Sequence, residues 1–296
     1  MKTTISFLSL LLGCIPFAQA IPYSFLSFEV PNTVATWAYG INNYGQISGT
    51  VQGGRGIKYT NHGFVGVPGL FEIFDVPLAT LTEAFRINDA GDIVGRYRDL
   101  EGNHGFVRHN GSFSITPEFP IDINNDGSFL LTESPSISPP HSVFTRALGM
   151  NDEGQVVGFF VDDIAFAMHG FVGTPNSLVL FDIPGAEFTQ LWDINNHGEI
   201  VGVYEDDGRV HGFIKNSDGF ITLDVPGAYF TQLSGLNDKG QIVGNWQDRD
   251  GKTRAFVATP MTEVPEPHIL LIMGLGLAGW KLGRRRCKAN HVVLDT

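Results

Sequence analysis

Cysteine is almost missing from this chain: two of its 296 residues are cysteine, Cys14 and Cys287, each near an end. No disulfide framework can brace the body of the protein, and the body has no thiol to serve as a nucleophile. No stretch of the middle carries apolar residues at sustained helical spacing, which argues against long helices there. Positive charge is scarce as well, with 19 Lys and Arg against 31 Asp and Glu. Between residues 21 and 267 the imbalance is 13 basic against 30 acidic residues. A phosphate backbone needs a basic face, so nucleic acid is excluded as a partner. No Gly-x-Ser-x-Gly elbow occurs, and the many acids return with the repeat instead of forming one irregular constellation. No catalytic, cofactor-binding or metal-ligating residue is assigned, and the chain is read as non-enzymatic.

Turn residues are abundant, with 36 glycines and 16 prolines, and short alternating runs of Val, Ile, Phe and Thr lie between them. An all-β fold follows. One phrase organises it, Ile194-Asn195-Asn196-His197-Gly198-Glu199-Ile200-Val201-Gly202, with relatives starting at Ile41, Ile87, Met150 and Leu236. Each reads as a tight hairpin whose Asn or Asp and Gly are what the turn needs, flanked by buried strand residues. A decayed copy, Ile123-Asn124-Asn125-Asp126-Gly127, precedes a loop-like stretch from Glu133 to Pro140.

Two more phrases keep the period. His-Gly-Phe occurs at His62, His104, His169 and His211, altered to Arg254-Ala255-Phe256, and Phe-Asp-Val-Pro or a close variant ends at Pro31, Pro77, Pro184 and Pro226. The displacement of 42 residues between the last two copies suits a four-stranded propeller blade. One period divides into strands at Phe188–Ile194, Glu199–Tyr204, a third around His211–Ile214, and Phe220–Val225. The expected architecture is a repeat array of four-stranded antiparallel units, a five- or six-bladed β-propeller, followed by a C-terminal hydrophobic helix. The last repeat stops after three strands near Pro260, and Phe25–Pro31 is an unattached fourth strand. Pairing the two would close the ring and remove both open edges.

The recurring histidines are read as half-buried strand residues bonded to neighbouring backbone, because equivalent positions on different blades are too far apart to share a metal. The acidic turns Asp206-Asp207-Gly208 and Asp248-Arg249-Asp250-Gly251 offer oxygens to Ca²⁺ but lack a calcium loop, so no cofactor is assigned. Trp192, Trp246, Tyr97, Tyr204 and Tyr229 are the candidates for stacking on sugars, with packing inside and between blades as the favoured role. The variable tip residues Tyr44, Ala90, Glu153, His197 and Lys239 are the other candidates for recognition.

The ends carry targeting signals. Residues 1–20 read as a signal peptide, with Lys2, an apolar run from Ile5 to Leu12, and a cleavage site at Ala18-Gln19-Ala20. Leu11-Leu12-Gly13-Cys14 is the lipoprotein alternative. At the other end a linker, 261–267, carries Pro265-Glu266-Pro267, and an apolar segment with an arginine cluster, 268–286, ends in Arg284-Arg285-Arg286 before a tail, 287–296. This arrangement resembles the PEP-CTERM sorting signal of Gram-negative bacteria, the tag of exosortase substrates. Within the extracellular repeat domain, 21–260, the stretch from Phe28 to Pro260 resembles the HAF-type extracellular repeats. What the sorting resemblance implies is export, transient anchoring in the inner membrane, processing by an exosortase-type enzyme, and association with extracellular polysaccharide at the cell surface or in the biofilm matrix. A lectin-like propeller with one site per blade, and a secreted polysaccharide hydrolase or lyase, are the alternatives.

Overall fold

The computed structural model describes residues 23–53, 60–131, 137, 139–175 and 177–261. The expected signal peptide with Ala18 and Ala20, the Pro265-Glu266-Pro267 motif, the apolar helix with Arg284, Arg285 and Arg286, and the tail lie outside the described residues.

Every regular element among the described residues is a strand. After β1 (Tyr23–Phe28), blade 1 comprises β2 (Thr33–Ile41), β3 (Ile47–Gly53), β4 (Asn61–Val67) and β5 (Leu70–Phe74). Blade 2 comprises β6 (Leu81–Ile87), β7 (Ile93–Arg98), β8 (Asn103–His109) and β9 (Ser112–Thr116). A two-stranded hairpin of β10 (Pro120–Ile123) and β11 (Phe129–Leu131) follows. Blade 3 comprises β12 (Ser142–Met150), β13 (Val156–Asp162), β14 (Met168–Thr174) and β15 (Ser177–Phe181). Blade 4 comprises β16 (Phe188–Ile194), β17 (Ile200–Asp206), β18 (Arg209–Asn216) and β19 (Gly219–Thr222). Blade 5 has β20 (Phe230–Leu236), β21 (Ile242–Gln247) and β22 (Thr253–Pro260), and β1 pairs antiparallel with β22 as its fourth strand. The five four-stranded antiparallel sheets form a five-bladed β-propeller, and the decayed repeat supplies the short hairpin between blades 2 and 3.

The expected ring closure is therefore present, in register from Tyr23 opposite Pro260 to Phe28 opposite Ala255. Phe25 packs on Phe256 with ring centroids 5.6 Å apart. The fourth strand of blade 4 is shorter than expected: it ends at Thr222, with one further bond from the Leu223 amide to the Gly212 carbonyl at 2.8 Å, because Asp224 and Val225 turn towards the next blade. There the Val225 amide donates to the Thr231 hydroxyl at 3.2 Å, as Val30, Val76 and Ile183 donate to Thr36, Thr82 and Thr189. The Phe-Asp-Val-Pro phrase thus ties each outer strand to the next inner strand, and these threonines are buried.

The cores lie between neighbouring blades. Val157 of blade 3 packs with Ile183, Leu191, Ile194, Ile200 and Phe213. The glycine that ends each kernel makes this possible. A Cβ on Gly202 would sit 2.2 Å from the Gln190 carbonyl oxygen and 2.8 Å from the Phe213 ring. Phe64, Phe106, Phe171, Phe213 and Phe256, each fully buried, fill the equivalent space in the five blades. The Gly of one phrase and the Phe of the other are one packing unit.

Candidate binding site at the propeller axis

Innermost strands line the axis, and each kernel hairpin turns at the same mouth. Asn195 accepts from the backbone amides of His197 and Glu199 through Oδ1, and its Nδ2 donates to the Asn237 carbonyl of the next blade at 3.2 Å. Asn237 closes this circle onto the Asn42 carbonyl at 2.9 Å. The next kernel position alternates strictly: Asn43, Asp89, Asn125, Asp152, Asn196, Asp238. Each backbone amide in that series donates to the side-chain oxygen of the next member, and Asp238 returns to Asn43. Asn196 Nδ2 bridges Asp152 and Asp238, at 2.8 and 3.1 Å. Burial opposes charge on Asp238, but the bonds from Asn43 and Asn196 outweigh it and hold its pKa below the usual value. The short hairpin contributes Asn124 and Asn125 to these rings, so it occupies a sixth angular position although it lacks two strands. Turn geometry therefore explains only part of the kernel, whose asparagines also join the blades.

Below this ring the axis is plugged. Gly40, Arg86, Asp122, Gly149, Asp193 and Gly235 occupy the equivalent positions, and a cavity of about 70 Å³ separates them from the mouth. Arg86 donates to the carbonyls of Tyr39, Ser234 and Trp192 and lies 3.4 Å from Asp193. The glycines leave room for the groups that cross the axis: a Cβ on Gly149 would meet Asp193 at 2.8 Å. Asp122 accepts from the Met150 and Ile123 amides, Asp193 from those of Leu236 and Ile194. Burial raises both carboxyl pKa values against the pull of Arg86, that of Asp122 to about 7.

At the far mouth the periodicity fails. One cavity of about 170 Å³ is lined by Tyr39, Phe85, Ile121, Leu148, Trp192 and Ser234 together with Arg86 and Arg146. A second, of about 330 Å³, is lined by Tyr39, Glu83, Phe85, Arg96, Phe119, Ile121 and Arg146. One-residue register shifts occur in the innermost strand of every blade, for example between Ala38 and Gly40 and between Leu191 and Asp193. Such bulges re-aim side chains, here placing Tyr39 and Trp192 at the mouth. Glu83 is committed on both oxygens, to Arg96 and to Asn61. Arg146 has no hydrogen-bond or ion-pair partner among the described residues, and burial together with the neighbouring Arg96 charge lowers its pKa. The Tyr39 hydroxyl stays protonated, its pKa pushed up to about 12 by burial and then by Glu83. The Trp192 Nε1 donor is buried without a partner among the described residues.

The other candidates fall elsewhere. His62, His169 and His211 bond through Nδ1 to Asp75, Asp182 and Asp224, the acids of the Phe-Asp-Val-Pro phrase, at 2.6–2.9 Å. Their partner is a carboxylate one strand away, not the expected backbone group. His104 bonds instead to Asp99 through Nε2. No group of three or more His, Cys, Asp or Glu side chains able to hold a metal occurs among the described residues. In the two acidic turns, Asp248 pairs with Arg254 at 2.7 Å. Tyr97 and Tyr204 stack on His104 and His211, and Trp246 lies under Arg254 and donates to Ser27. Tyr229 lines an outer groove with Arg209 and Arg249. Of the stacking candidates Trp192 alone reaches the axial mouth. Tyr44, one of the tip residues, is 73% exposed beside the kernel ring, at the opposite end from Trp192.

The class of protein is thus a closed β-propeller carrying one irregular mouth. Residues 263–286 match the PEP-CTERM protein-sorting motif. Motifs of this kind belong to exported proteins that pass through the membrane, with exosortase processing, to the cell surface. Among curated proteins none matches the sequence. Solved structures share the fold. The β-propeller domain of the Trilobed protease from Pyrococcus furiosus, described as having an open velcro topology, is similar at 10% identity and a TM-score of 0.50, over 79% of this chain and 100% of that one. A catalytically inactive virginiamycin B lyase from Staphylococcus aureus is similar at 10% identity and a TM-score of 0.46, over 81% of this chain and 100% of that one. The likeness to the Trilobed protease domain speaks to the fold alone.

Proposed function

We propose that the protein is a non-enzymatic surface propeller that takes part in the extracellular polysaccharide matrix after export. The observation that carries this reading is the sorting motif at residues 263–286 joined to a repeat body of strands. The architecture is consistent with a binding role. The axis is blocked by the Arg86 plug, and the kernel ring spends its side chains on joining blades. Cell fractionation tests the reading. The full chain should be found in the membrane fraction and then in the matrix, whereas a chain ending at Met261 should be lost to the soluble fraction. Equal distribution of the two overturns it, and release of reducing ends from matrix polymer by the purified protein overturns the non-enzymatic part.

A carbohydrate-binding role is the second reading, favoured by the aromatic walls of the far mouth. It differs from a lectin with one site per blade, because Trp192, Tyr39, Phe85 and Arg146 meet at a single place.

A further inference from the structure

We propose that the far axial mouth binds the carboxylate-bearing terminal residue of an acidic oligosaccharide, with Arg146 holding the carboxylate and Trp192 and Tyr39 forming the wall against the sugar ring. This proposal rests on the matrix reading for its biological setting but not for its chemistry.

Charge makes the first argument. The chain carries a formal net charge of −12, yet three guanidinium groups line this mouth: Arg86, which is spent on carbonyls and Asp193, and Arg96 and Arg146, with Glu83 as the carboxylate beside them. Glu83 serves Arg96 and Asn61 and makes no bond to Arg146 among the described residues. An arginine fork without a partner, set against apolar walls, matches a planar carboxylate better than any neutral group. The surrounding acidity repels a long polyanion, but charges beyond about 8 Å are largely screened at physiological salt, so a short acid or a chain end can enter.

The walls make the second. Tyr39 and Phe85 meet edge to face at 6.2 Å, and Phe85 and Trp192 line the same cavity. Trp192 and Tyr39 each combine an apolar ring with a polar handle. The buried Trp192 donor needs an acceptor, and the protonated Tyr39 hydroxyl can donate or accept. A sugar ring offers hydroxyl acceptors beside its C–H faces, which a purely apolar occupant does not. The cavity of about 330 Å³ that Arg146 and Tyr39 line is at the low end of the roughly 300–1,000 Å³ seen for ligand pockets, and the cavity of about 170 Å³ that Trp192 lines shares Tyr39, Phe85, Ile121 and Arg146 with it, which suits one ring rather than a polymer segment.

Position makes the third. The site lies where the repeat is broken, between blades 2 and 3 beside the two-stranded hairpin, and Arg146, Arg96 and Phe119 have no copies on the other blades.

The test is calorimetric titration of the full-length protein in detergent with trigalacturonate, against a neutral galactose trimer. We expect trigalacturonate to bind, weakening as salt is raised, and the neutral trimer to bind at least tenfold more weakly. Arg146→Gln should lose roughly tenfold or more, the scale of a lost charge-assisted hydrogen bond, while R146K recovers part of it. Arg146 has no partner to lose among the described residues, so its variants should melt like the wild type. W192F should abolish the ligand-induced change in tryptophan fluorescence, and Arg209→Gln, in the outer groove, should change nothing. Absence of binding, equal binding of the neutral trimer, an unaffected R146Q, or an equal loss in R209Q overturns the proposal. If trigalacturonate fails but the protein still partitions to the matrix, this inference falls alone. If it binds but the protein is absent from the matrix, the matrix reading falls alone.

Discussion

Arg86 and Asp193 meet at 3.4 Å on the propeller axis, both buried, and the guanidinium also holds carbonyl groups of four other inner strands, at Tyr39, Leu148, Trp192 and Ser234. The pair works as a clasp: one side chain from blade 2 ties blades 1, 3, 4 and 5 together across the axis. Removing one member of such a pair strands the other without compensation, at a typical loss of about 3–5 kcal/mol. Asp193→Ala is expected to lower unfolding stability by that order in urea titration. Arg86→Met, which leaves two buried carboxyls to be met by protonation, should show a smaller loss at acid pH than at neutral pH.

The second carboxyl of the plug gives a pH dependence. Asp122 is raised from 3.8 to about 7 in the folded protein, chiefly by burial. The folded state then binds a proton that the unfolded state has released, so stability falls wherever the unfolded state holds fewer protons. This contribution is complete below pH 3.8, is lost as pH rises through about 7, and is constant above. Melting temperature against pH should therefore slope downward across that window in the wild type. Asp122→Asn should flatten the slope, and an unchanged slope would assign the effect to other groups.

Much of the fold is legible in the sequence because its cause is local. Gly198 needs a positive φ, 74° here, and Asn195 caps the same turn, so the hairpin is written in adjacent letters. The closing strand is legible because an orphan Phe-Glu-Val-Pro at one end matches a missing strand at the other. The site is less so. The alternation of Asn43, Asp89, Asn125, Asp152, Asn196 and Asp238 is visible in the letters, but its meaning requires the ring to bring them side by side. His211 and Asp224 stand 13 residues apart, and only the register of β18 against the following strand shows that they meet. Arg146 is the hardest. It belongs to no repeated phrase, and the bulge between Ala147 and Gly149 disrupts the alternation by which an inward face would be read from sequence. The sorting motif at residues 263–286 raises no such difficulty, since the order of its features along the chain is itself the signal.

Packing of the two repeated phrases gives a direct prediction. A methyl group on Gly202 would come within 2.2 Å of the Gln190 carbonyl oxygen, which belongs to the paired inner strand and cannot turn aside. Gly202→Ala is thus expected to destabilise by at least the roughly 1–3 kcal/mol typical of overpacking. Phe213→Leu on the other side of the contact should be milder than Phe213→Ala, whose cavity costs about 3–5 kcal/mol. Adding Phe213→Leu to Gly202→Ala should not restore stability, because the backbone clash remains; chemical denaturation of the four variants reads all of this.

The ring closure makes the last prediction. β1 pairs with β22 from Ala255 to Pro260, and Phe28, 9% exposed, enters the core shared by blades 5 and 1 with Val30, Ala38 and Val257. Deleting residues 23–28 uncovers a row of unpaired backbone groups on β22, the kind of edge through which strands of different chains pair. The deletion should lower the melting temperature and shift the protein to dimers or aggregates in size-exclusion chromatography. Supplying residues 23–31 as a separate peptide should reverse the shift, since the edge and its register remain intact. Phe28→Ala should reproduce the stability loss, by about 3–5 kcal/mol, without the association, because the strand still covers the edge. A deletion that melts with the wild type and stays monomeric would show that the blades hold the ring shut without β1.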